Sequence, residues 1–450
     1  MIKRSRRKIA HRSAVVADKL QATYRKTILP NNIRVVSEEI PHVRSVSVGV
    51  WVNVGSRDEE EKTSGISHLI EHMVFKGTEK RSVREIAQSI ESVGGYLNAF
   101  TSKEHTCYYA RVLDEHTELA IDVISDMILR PLFPEKELEK ERGVIIEELK
   151  NAEDDPDDII HDYFEKAIFG PHPLGFPVIG TEKNLRLFSR EDLVRYHRQH
   201  YRAQNMVIAA AGNVKHEHLV ELVGKYFEKN LNTQHANGYE RSKPRLQKPD
   251  RLEYNKPIQQ AHVCLGTTTF GVNNKLRYPL MTLNTVLGDG MSSRLYQNIR
   301  ERYGFAYSVY SYANLMSDAG TFAAYIGTDQ SHVTSSIELI QKELQKLKKK
   351  PVTQAELQRT KAQLKGSMML SLESMPSRMM RLGSSELYFG ELMSLDAVMK
   401  EVDAVQPEHL YTLANELFDQ NKFSMVIFNP AGKHVVDDSD AVGRSMARPN

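Results

Sequence analysis

This chain contains one H-x-x-E-H string, in the stretch Ser64-Gly65-Ile66-Ser67-His68-Leu69-Ile70-Glu71-His72-Met73-Val74-Phe75-Lys76-Gly77. The stretch predicts a short helix that Ser64 caps and that ends at Gly77. His68 and His72 then lie one turn apart on the same face, and Glu71 shares that face. Two imidazoles at this spacing can bind one zinc ion, and a carboxylate beside them can activate a water molecule. Because so short a string also arises by chance, a third ligand is needed to support the interpretation.

A glutamate-rich segment is the best source of that third ligand. Pro134–Ala152 is predicted to be a long charged helix, and it contains Glu141, Glu147 and Glu148. Glu141 and Glu148 are two turns apart and share a face. Most glutamate-rich helices only present an acidic face to solvent. The spacing alone therefore does not choose among the three carboxylates.

Composition limits the class of protein. The 450 residues are too many for one ordinary core and favour roughly three domains. A hydrophobic content of 40% and a charged content of 26% are typical of soluble globular proteins. The net charge of +2 gives no reason to expect nucleic acid as a partner, and no apolar run is long enough to cross a membrane. Cys107 and Cys264, the only cysteines, exclude a cysteine-rich zinc site and fit a reducing compartment.

The N-terminal segment is strongly basic, beginning Met1-Ile2-Lys3-Arg4-Ser5-Arg6-Arg7-Lys8. Asp18 and Lys19 interrupt the only apolar candidate for a signal core, so we expect no secretion. The segment is also rich in arginine and poor in acids, as a mitochondrial transit peptide would be. We interpret residues 1–28 as a solvated basic tail of a cytoplasmic protein, with the mitochondrial matrix as the alternative location.

Two similar halves follow from the order of the predicted elements. Residues 29–230 give strands followed by helices, and residues 257–430 repeat that order in outline. Residues 231–256 are polar, have no apolar period and form the predicted linker, while residues 431–450 form a C-terminal tail. The sequence therefore predicts an α+β fold of two similar α/β-roll halves, each a mostly antiparallel sheet packed with helices. The halves share no strong sequence identity, so the predicted repeat is one of architecture only.

Two motifs together resemble a known family. They are His68-Leu-Ile-Glu71-His72-Met-Val-Phe-Lys-Gly-Thr78 and Glu141-Arg-Gly-Val-Ile-Ile-Glu-Glu148. Both are similar to motifs of the pitrilysin-type inverzincin metallopeptidases, in particular the mitochondrial-processing-peptidase-like branch with its bacterial processing-protease-like members. The resemblance, which covers most of the chain, implies one Zn²⁺ per chain bound by His68, His72 and Glu148. It also implies that Glu71 is the general base and that Glu141 is a carboxylate that orients a ligand.

A further resemblance concerns the hairpin around residues 94–109. In the family, a substrate peptide adds to this region as an extra edge strand held by main-chain hydrogen bonds. The resemblance makes Asn98, Ala99 and Phe100 candidate substrate contacts. Without it, the same residues read as part of a plain hairpin core.

The C-terminal half carries the last match, Arg300-Glu-Arg-Tyr-Gly-Phe-Ala-Tyr307. It resembles an Arg/Tyr pair that, in active relatives, reaches the zinc site from the C-terminal half and stabilises the tetrahedral intermediate. On its own, Arg300 would be a surface charge and Tyr307 a core residue of a strand. Because the half has no second H-x-x-E-H, it is predicted to be non-catalytic.

Together these implications describe a zinc-dependent endopeptidase that cleaves unfolded peptides or protein segments, bound as an added edge strand in a closed chamber. Large single-chain members of the family have about twice this length, so we expect a homodimer, with enclosure by the two halves of one chain as the alternative. The loop Gly170–Gly175 lacks the acidic residues of arginine recognition in the mitochondrial enzymes, so no presequence specificity is implied. The alternative functions are a non-catalytic scaffold or peptide-binding subunit, and a zinc hydrolase of non-peptide substrates.

Overall fold

Two sheets packed with helices make up the computed structural model, which describes residues 23–227, 241–245 and 247–431. The first half contains β1 (Thr23–Ile28), β2 (Arg34–Glu39), β3 (Ser45–Val52), α1 (Ile66–Met73), α2 (Val83–Glu91), β4 (Tyr96–Thr101), β5 (Thr106–Leu113), α3 (Thr117–Leu129), α4 (Glu135–Glu153), α5 (Pro156–Phe169), α6 (Glu182–Leu187), α7 (Arg190–His200), β6 (Met206–Gly212) and α8 (His216–Phe227). The second half contains β7 (Arg251–Lys256), β8 (Ala261–Phe270), α9 (Arg277–Gly288), a π-helical turn (Tyr296–Glu301), β9 (Ala306–Leu315), β10 (Ala319–Thr328), α10 (Val333–Lys349), α11 (Gln354–Ser371), α12 (Met375–Phe389), α13 (Leu395–Ala404), α14 (Pro407–Leu417) and β11 (Ser424–Pro430).

The two sheets repeat one strand order. The first runs β1-β2-β6-β3-β5-β4 and the second runs β7-β11-β8-β10-β9. The pairs β2/β6 and β7/β11 are parallel, and every other pair of neighbours is antiparallel. Apart from β1, the strands therefore correspond one to one. The predicted α+β architecture of two similar, mostly antiparallel halves is confirmed, and β4 and β9 stand at equivalent free edges.

The central strands of the first sheet are covered on both faces. Along β3, Val46, Val48, Val50 and Val52 enter the core that the helices of the first half build. Trp51 points to the opposite face and joins a separate apolar cluster there. A strand that is buried on both sides needs a nearly continuous apolar run, which explains the sequence of β3.

The helix on that opposite face comes from the second half of the chain. Helix α12 packs across β2, β3 and β6, where Met379 and Leu382 join the cluster around Trp51. Gly383 allows the close approach, since a Cβ built on it would lie 2.1 Å from Nε1 of Trp51. In the reverse direction, α5 of the first half packs on β8 and β11 of the second sheet. Each half thus sends one helix to the sheet of the other, which makes them one packed unit.

A buried network of charges also joins the halves. Arg57 Nη1 donates to Glu104 Oε1 at 2.6 Å, and both side chains are only 1% exposed. From the second half, Ser317 donates to Glu104 through its amide at 2.8 Å and its hydroxyl at 2.6 Å. Arg241, which belongs to the predicted linker, pairs with Asp58 at 2.8 Å. Although burial acts to raise it, Arg241, Ser317 and Arg57 together hold the pKa of Glu104 below its ordinary value.

Two strands of the structure lie in segments that the sequence analysis assigned to the N-terminal tail and to the linker. Residues 23–28, assigned to the basic tail, form β1, and residues 251–256, assigned to the linker, form β7. Both lie at sheet edges. Leu252 and Tyr254 are the only apolar residues of β7, so no apolar run marks the strand in the sequence. The remaining parts of the predicted tails and linker, residues 1–22, 231–240, 246 and 432–450, lie outside the described residues.

Within the ranges that the structure describes, none of the helices combines the length and the hydropathy that a bilayer span requires.

Candidate active site

Helix α1, which carries the H-x-x-E-H residues, is held at its start by a buried carboxylate. Glu59 accepts hydrogen bonds from the amides of Gly65 at 2.8 Å and Ser67 at 2.9 Å. Burial raises the pKa of Glu59 to about 8, and the two amide donors act in the opposite direction. Gly65 has φ 98°, and a Cβ there would meet Cα of Gly180 at 2.8 Å. The close backbone crossing and the Glu59 cap together fix where α1 begins.

The predicted ends of this helix are wrong by a few residues. Ser64 does not cap it, because the left-handed Gly65 occupies the N-cap position and leaves the Ser64 hydroxyl buried without a hydrogen-bond partner. The helix ends at Met73, and the chain reaches Gly77 through a turn. The face that carries the histidines is unaffected.

His68, His72 and Glu148 converge on one point. One ligand atom from each lies within 4.8 Å of the others. Glu148 stands 3.9 Å from Nε2 of His68 and 3.6 Å from Nε2 of His72, measured to its two carboxylate oxygens. Ligands of one tetrahedral zinc ion, at bonds of about 2.0–2.1 Å, stand about 3.3 Å apart, so the donor set fits zinc. Burial, with a smaller effect from His72, lowers the pKa of His68 to about 4, which keeps its ring in the neutral form that binds metals.

The three glutamates of α4 point to different places. Glu148 faces the histidines, whereas Glu147 pairs with Lys150 at 2.6 Å on the exposed side of the helix. Glu141 lies behind His72, with its Oε2 at 3.2 Å from Nδ1 of the ring. The geometry thus separates three carboxylates that the spacing could not.

A lysine that the sequence analysis missed supports Glu141. Lys76 Nζ lies 2.8 Å from Glu141 Oε1, and the glutamate side chain is 9% exposed. With one oxygen on Lys76 and the other on His72 Nδ1, Glu141 holds the imidazole so that Nε2 faces Glu148. Lys76 lies four residues after His72, just beyond the end of α1, and that spacing was the available signal.

Glu71 is attached to the edge of the first sheet by a second residue that was missed. The hydroxyl of Thr101 donates to Glu71 Oε2 at 2.6 Å. Burial raises the pKa of Glu71, and the bond from Thr101 acts to lower it. Thr101 is the last residue of β4 and directly follows Phe100, a predicted substrate contact. The bond therefore connects the predicted base with the strand at which substrate is expected.

Asn98, Ala99 and Phe100 all lie on β4, whose outer edge is free of other strands among the described residues. The side chain of Phe100 packs edge-on against Trp51, with ring centroids 5.7 Å apart. The amide of Ala99 donates to Oδ1 of Asn98 at 2.8 Å instead of to a strand. The parts of this segment that a partner can reach are therefore main-chain groups and Asn98.

Arg300 and Tyr307 meet each other but not the metal ligands. The Arg300 guanidinium lies 5.2 Å from the centroid of the Tyr307 ring and 4.8 Å from that of Tyr296. Tyr307 is 78% exposed at the edge strand β9, so its sequence-based interpretation as a core residue is wrong. In the described part of the chain, no hydrogen bond or ion pair connects this pair with His68, His72 or Glu148.

Comparisons with known proteins agree with this arrangement. Residues 34–182 match the family described as insulinase (peptidase family M16), and residues 187–364 match the peptidase M16 inactive domain. The uncharacterized zinc protease YmxG of Bacillus subtilis is 44% identical over 402 residues, covering 89% of this chain and 97% of that protein. An uncharacterized zinc protease of Streptomyces coelicolor is 41% identical over 410 residues, covering 90% of this chain and 89% of that protein.

Two solved structures share the fold. A protease from Helicobacter pylori has a TM-score of 0.83 at 24% identity, covering 91% of this chain and all of that chain. A peptidase M16 inactive domain from Pseudomonas fluorescens has a TM-score of 0.84 at 21% identity, covering 91% and 98%. Placement in the mitochondrial-processing-peptidase-like branch stays a prediction. The motifs, the paired sheets and the relatives of nearly full length together show that the chain belongs to peptidase family M16, the insulinase or pitrilysin-type family.

Proposed function

We propose that this protein is a zinc-dependent endopeptidase that cleaves unfolded peptides or protein segments. The observation that carries the proposal is the cluster of His68, His72 and Glu148, which lies next to the carboxylate of Glu71. Thr101 connects Glu71 to the edge strand β4. The relatives named zinc proteases support the same chemistry. A metal site, a base and a strand-binding edge are the three parts that peptide hydrolysis of this kind requires.

The chemistry divides between the metal and the chain. Zinc held by His68, His72 and Glu148 would supply an electrophile that acidifies water and polarises the scissile carbonyl. Glu71 takes the proton from the attacking water and passes it to the leaving amine. The hydroxyl of Thr101 keeps the Glu71 carboxylate in place during both transfers.

The free edge of β4 accounts for an extended substrate. An incoming strand would accept a hydrogen bond from the Ala99 amide, which now donates to Oδ1 of Asn98 at 2.8 Å. Recognition through main-chain groups needs an extended segment and places little demand on its side chains. Folded proteins rarely offer such a segment, so we expect unfolded chains to be cut.

We include a homodimer in this proposal. The exchanged helices, together with the contacts that Ser317 and Asp318 of the second half make to the buried Arg57–Glu104 pair, fix the two halves of one chain to each other. This argues against closure of one half on the other. The exposed Tyr307 and the half-buried Arg300 beside it are then available to a second copy or to substrate held between copies. In that position they would stabilise the oxyanion of the tetrahedral intermediate.

The direct test incubates purified protein and zinc with a denatured protein library and identifies the products by mass spectrometry. We expect the wild type to cleave the library. Glu71→Gln should lose cleavage but still bind one zinc ion per chain, and Glu148→Gln should lose both cleavage and zinc. Glu147→Gln is the matched control, since this exposed neighbour on α4 pairs only with Lys150. Cleavage by Glu71→Gln at the wild-type rate would refute the assigned base, and a zinc-bound wild type without any product would favour a non-catalytic, peptide-binding function.

A further inference from the structure

A cavity that none of the metal-binding residues lines lies where four helices of the C-terminal half meet. It measures about 330 Å³ and is lined by α9, α11, α12 and the segment from α12 into α13. Helix α12 lies on the first sheet, whereas α9, α11 and α13 pack against one another in the second half. A ligand in this cavity would therefore contact both sides of the junction between the halves.

Two guanidinium groups converge in this cavity. Arg277 Nη2 donates to Tyr278 Oη at 3.0 Å and to the thioether Sδ of Met393 at 2.7 Å. Arg381 Nη2 donates to the main-chain oxygen of the same Met393. A thioether is a weak acceptor for a cation, so one strong donor of Arg277 has only a poor partner.

Neither arginine has an acidic partner among the described residues. The acid that acts most on Arg381 is Glu38, which is already paired with Arg378 at 2.8 Å. Burial lowers the pKa of Arg381 from its ordinary value, as expected for a cation that lacks a close counter-ion. Buried or partly buried charges in proteins are normally paired, so two guanidinium groups that line one cavity without an acidic partner among the described residues can together bind an anion.

Apart from Ser371, Ser377 and Ser385, the remaining walls are mostly apolar, and two aromatic rings hold Arg277 in a fixed plane. Its guanidinium lies 4.7 Å from the ring centroid of Tyr278 and 4.4 Å from that of Phe389. Met281 and Met368 line the cavity beyond the charged end. Methionine side chains adapt to flexible apolar groups, and a stacked guanidinium presents its donors in a set direction.

We propose that this cavity binds a small amphipathic carboxylate. The carboxylate lies between Arg277 and Arg381, and its apolar group lies along the methionine walls. The volume falls at the small end of the range for ligand pockets, about 300–1,000 Å³, which suits a single acid group with a short chain. Two sources share this chemistry: a medium-chain fatty acid, and the free C-terminal carboxylate of a peptide that ends in an apolar residue. The site is independent of peptidase activity.

Calorimetric titration of the full-length protein tests the proposal. Decanoate, below its micelle-forming concentration, represents the fatty acid, and an acetylated tripeptide with a C-terminal leucine represents the peptide. Decanol and the C-terminal amide of the same tripeptide are the uncharged counterparts. We expect at least one acid to bind about tenfold or more tightly than its counterpart and to raise the thermal midpoint as its concentration rises. The tighter acid identifies the source.

Variants decide whether binding occurs in this cavity. Arg277→Gln and Arg381→Gln should each weaken binding about tenfold or more, because each removes a charge-assisted contact. Ser385→Leu should also abolish binding, since the larger side chain fills the cavity while both arginines are kept. Ser385 lies within α12, and leucine is a good helix former. Arg195→Gln, at an exposed position of α7, is the matched control and should bind like the wild type. Absence of binding by both acids, equal binding of acid and counterpart, or wild-type affinity in both arginine variants would overturn the proposal.

Discussion

Replacing Glu141 with glutamine tests how the carboxylate behind His72 contributes to metal binding. Its two oxygens have different donors, His72 Nδ1 at 3.2 Å and Lys76 Nζ at 2.8 Å. A glutamine of the same shape has one oxygen and one NH₂ group. In either orientation the NH₂ group faces a donor, so one of the two contacts is lost and the imidazole is less firmly oriented.

The expected magnitude follows from the burial of the pair. The Glu141 side chain is 9% exposed, so solvent replaces the lost contact poorly. Residues that orient a metal ligand typically contribute about 10- to 100-fold in metal affinity, equivalent to about 1.4–2.8 kcal/mol. The zinc Kd of Glu141→Gln should therefore rise about 10- to 100-fold. The loss in Glu148→Gln should be larger, because that change removes a ligand itself.

Competition for zinc with a chromophoric chelator measures this difference, and circular dichroism of the metal-free proteins checks that the fold is kept. Glu139→Gln is a suitable control, since Glu139 is on the same helix and its side chain is 70% exposed. A Kd for Glu141→Gln within twofold of the wild type would show that Glu141 does not orient His72.

Three further predictions concern the base, the exchanged helix and acid stability. Thr101→Val should lower kcat about ten- to a hundredfold with zinc content unchanged, because Glu71 loses the hydroxyl that donates to it at 2.6 Å. Thr101→Ser keeps the hydroxyl and should have nearly the wild-type kcat. An unchanged kcat in the valine variant would show that Thr101 does not position Glu71. Gly383→Ala should lower the free energy of unfolding by about 1–3 kcal/mol, measured by urea titration, because the added Cβ would meet Trp51. An unchanged urea midpoint would mean that α12 can shift to make room for it. Burial lowers the pKa of His197 to about 4, so between pH 6.5 and 4 the unfolded chain binds a proton that the folded chain does not, and stability present above pH 6.5 should fall by up to about 1.4 kcal/mol per pH unit on acidification. Urea titrations at pH 7, 6 and 5 measure the slope, and His197→Gln should make it shallower by up to about that amount. The rest of the slope remains, because burial also lowers the pKa of His68, His105 and His200 to about 4.

Local patterns predicted those parts of the fold that local interactions determine. The helical spacing of His68 and His72 and the two-turn spacing of Glu141 and Glu148 survive in α1 and α4, because one helix face is fixed by the backbone alone. The strand periods gave both sheets in outline. The sequence does not indicate which sheet α12 covers. An amphipathic pattern predicts that a helix has an apolar face but not which surface that face contacts.

In the candidate active site, too, local spacing predicted the residues within one helix but not the contacts between elements. Thr101, Lys76 and Glu59 act through polar contacts, and all three of them connect separate elements or a loop with a helix. Such contacts depend on side-chain directions and loop paths that periodicity does not encode. The sequence analysis missed the polar strands β1 and β7 for a related reason. Both lie at sheet edges, and an edge strand needs few apolar residues to be stable.

The exchange of α5 and α12 has a consequence for how the chain is made. The face of the first sheet around Trp51 is complete once β6 has been synthesised, yet its cover, α12, is made only after most of the second half. At synthesis rates of about 5–20 residues per second, this apolar face stays bare on the ribosome for roughly 8–30 s. We expect the nascent chain to need a chaperone during that interval, and fragments that end between the two halves to aggregate rather than fold.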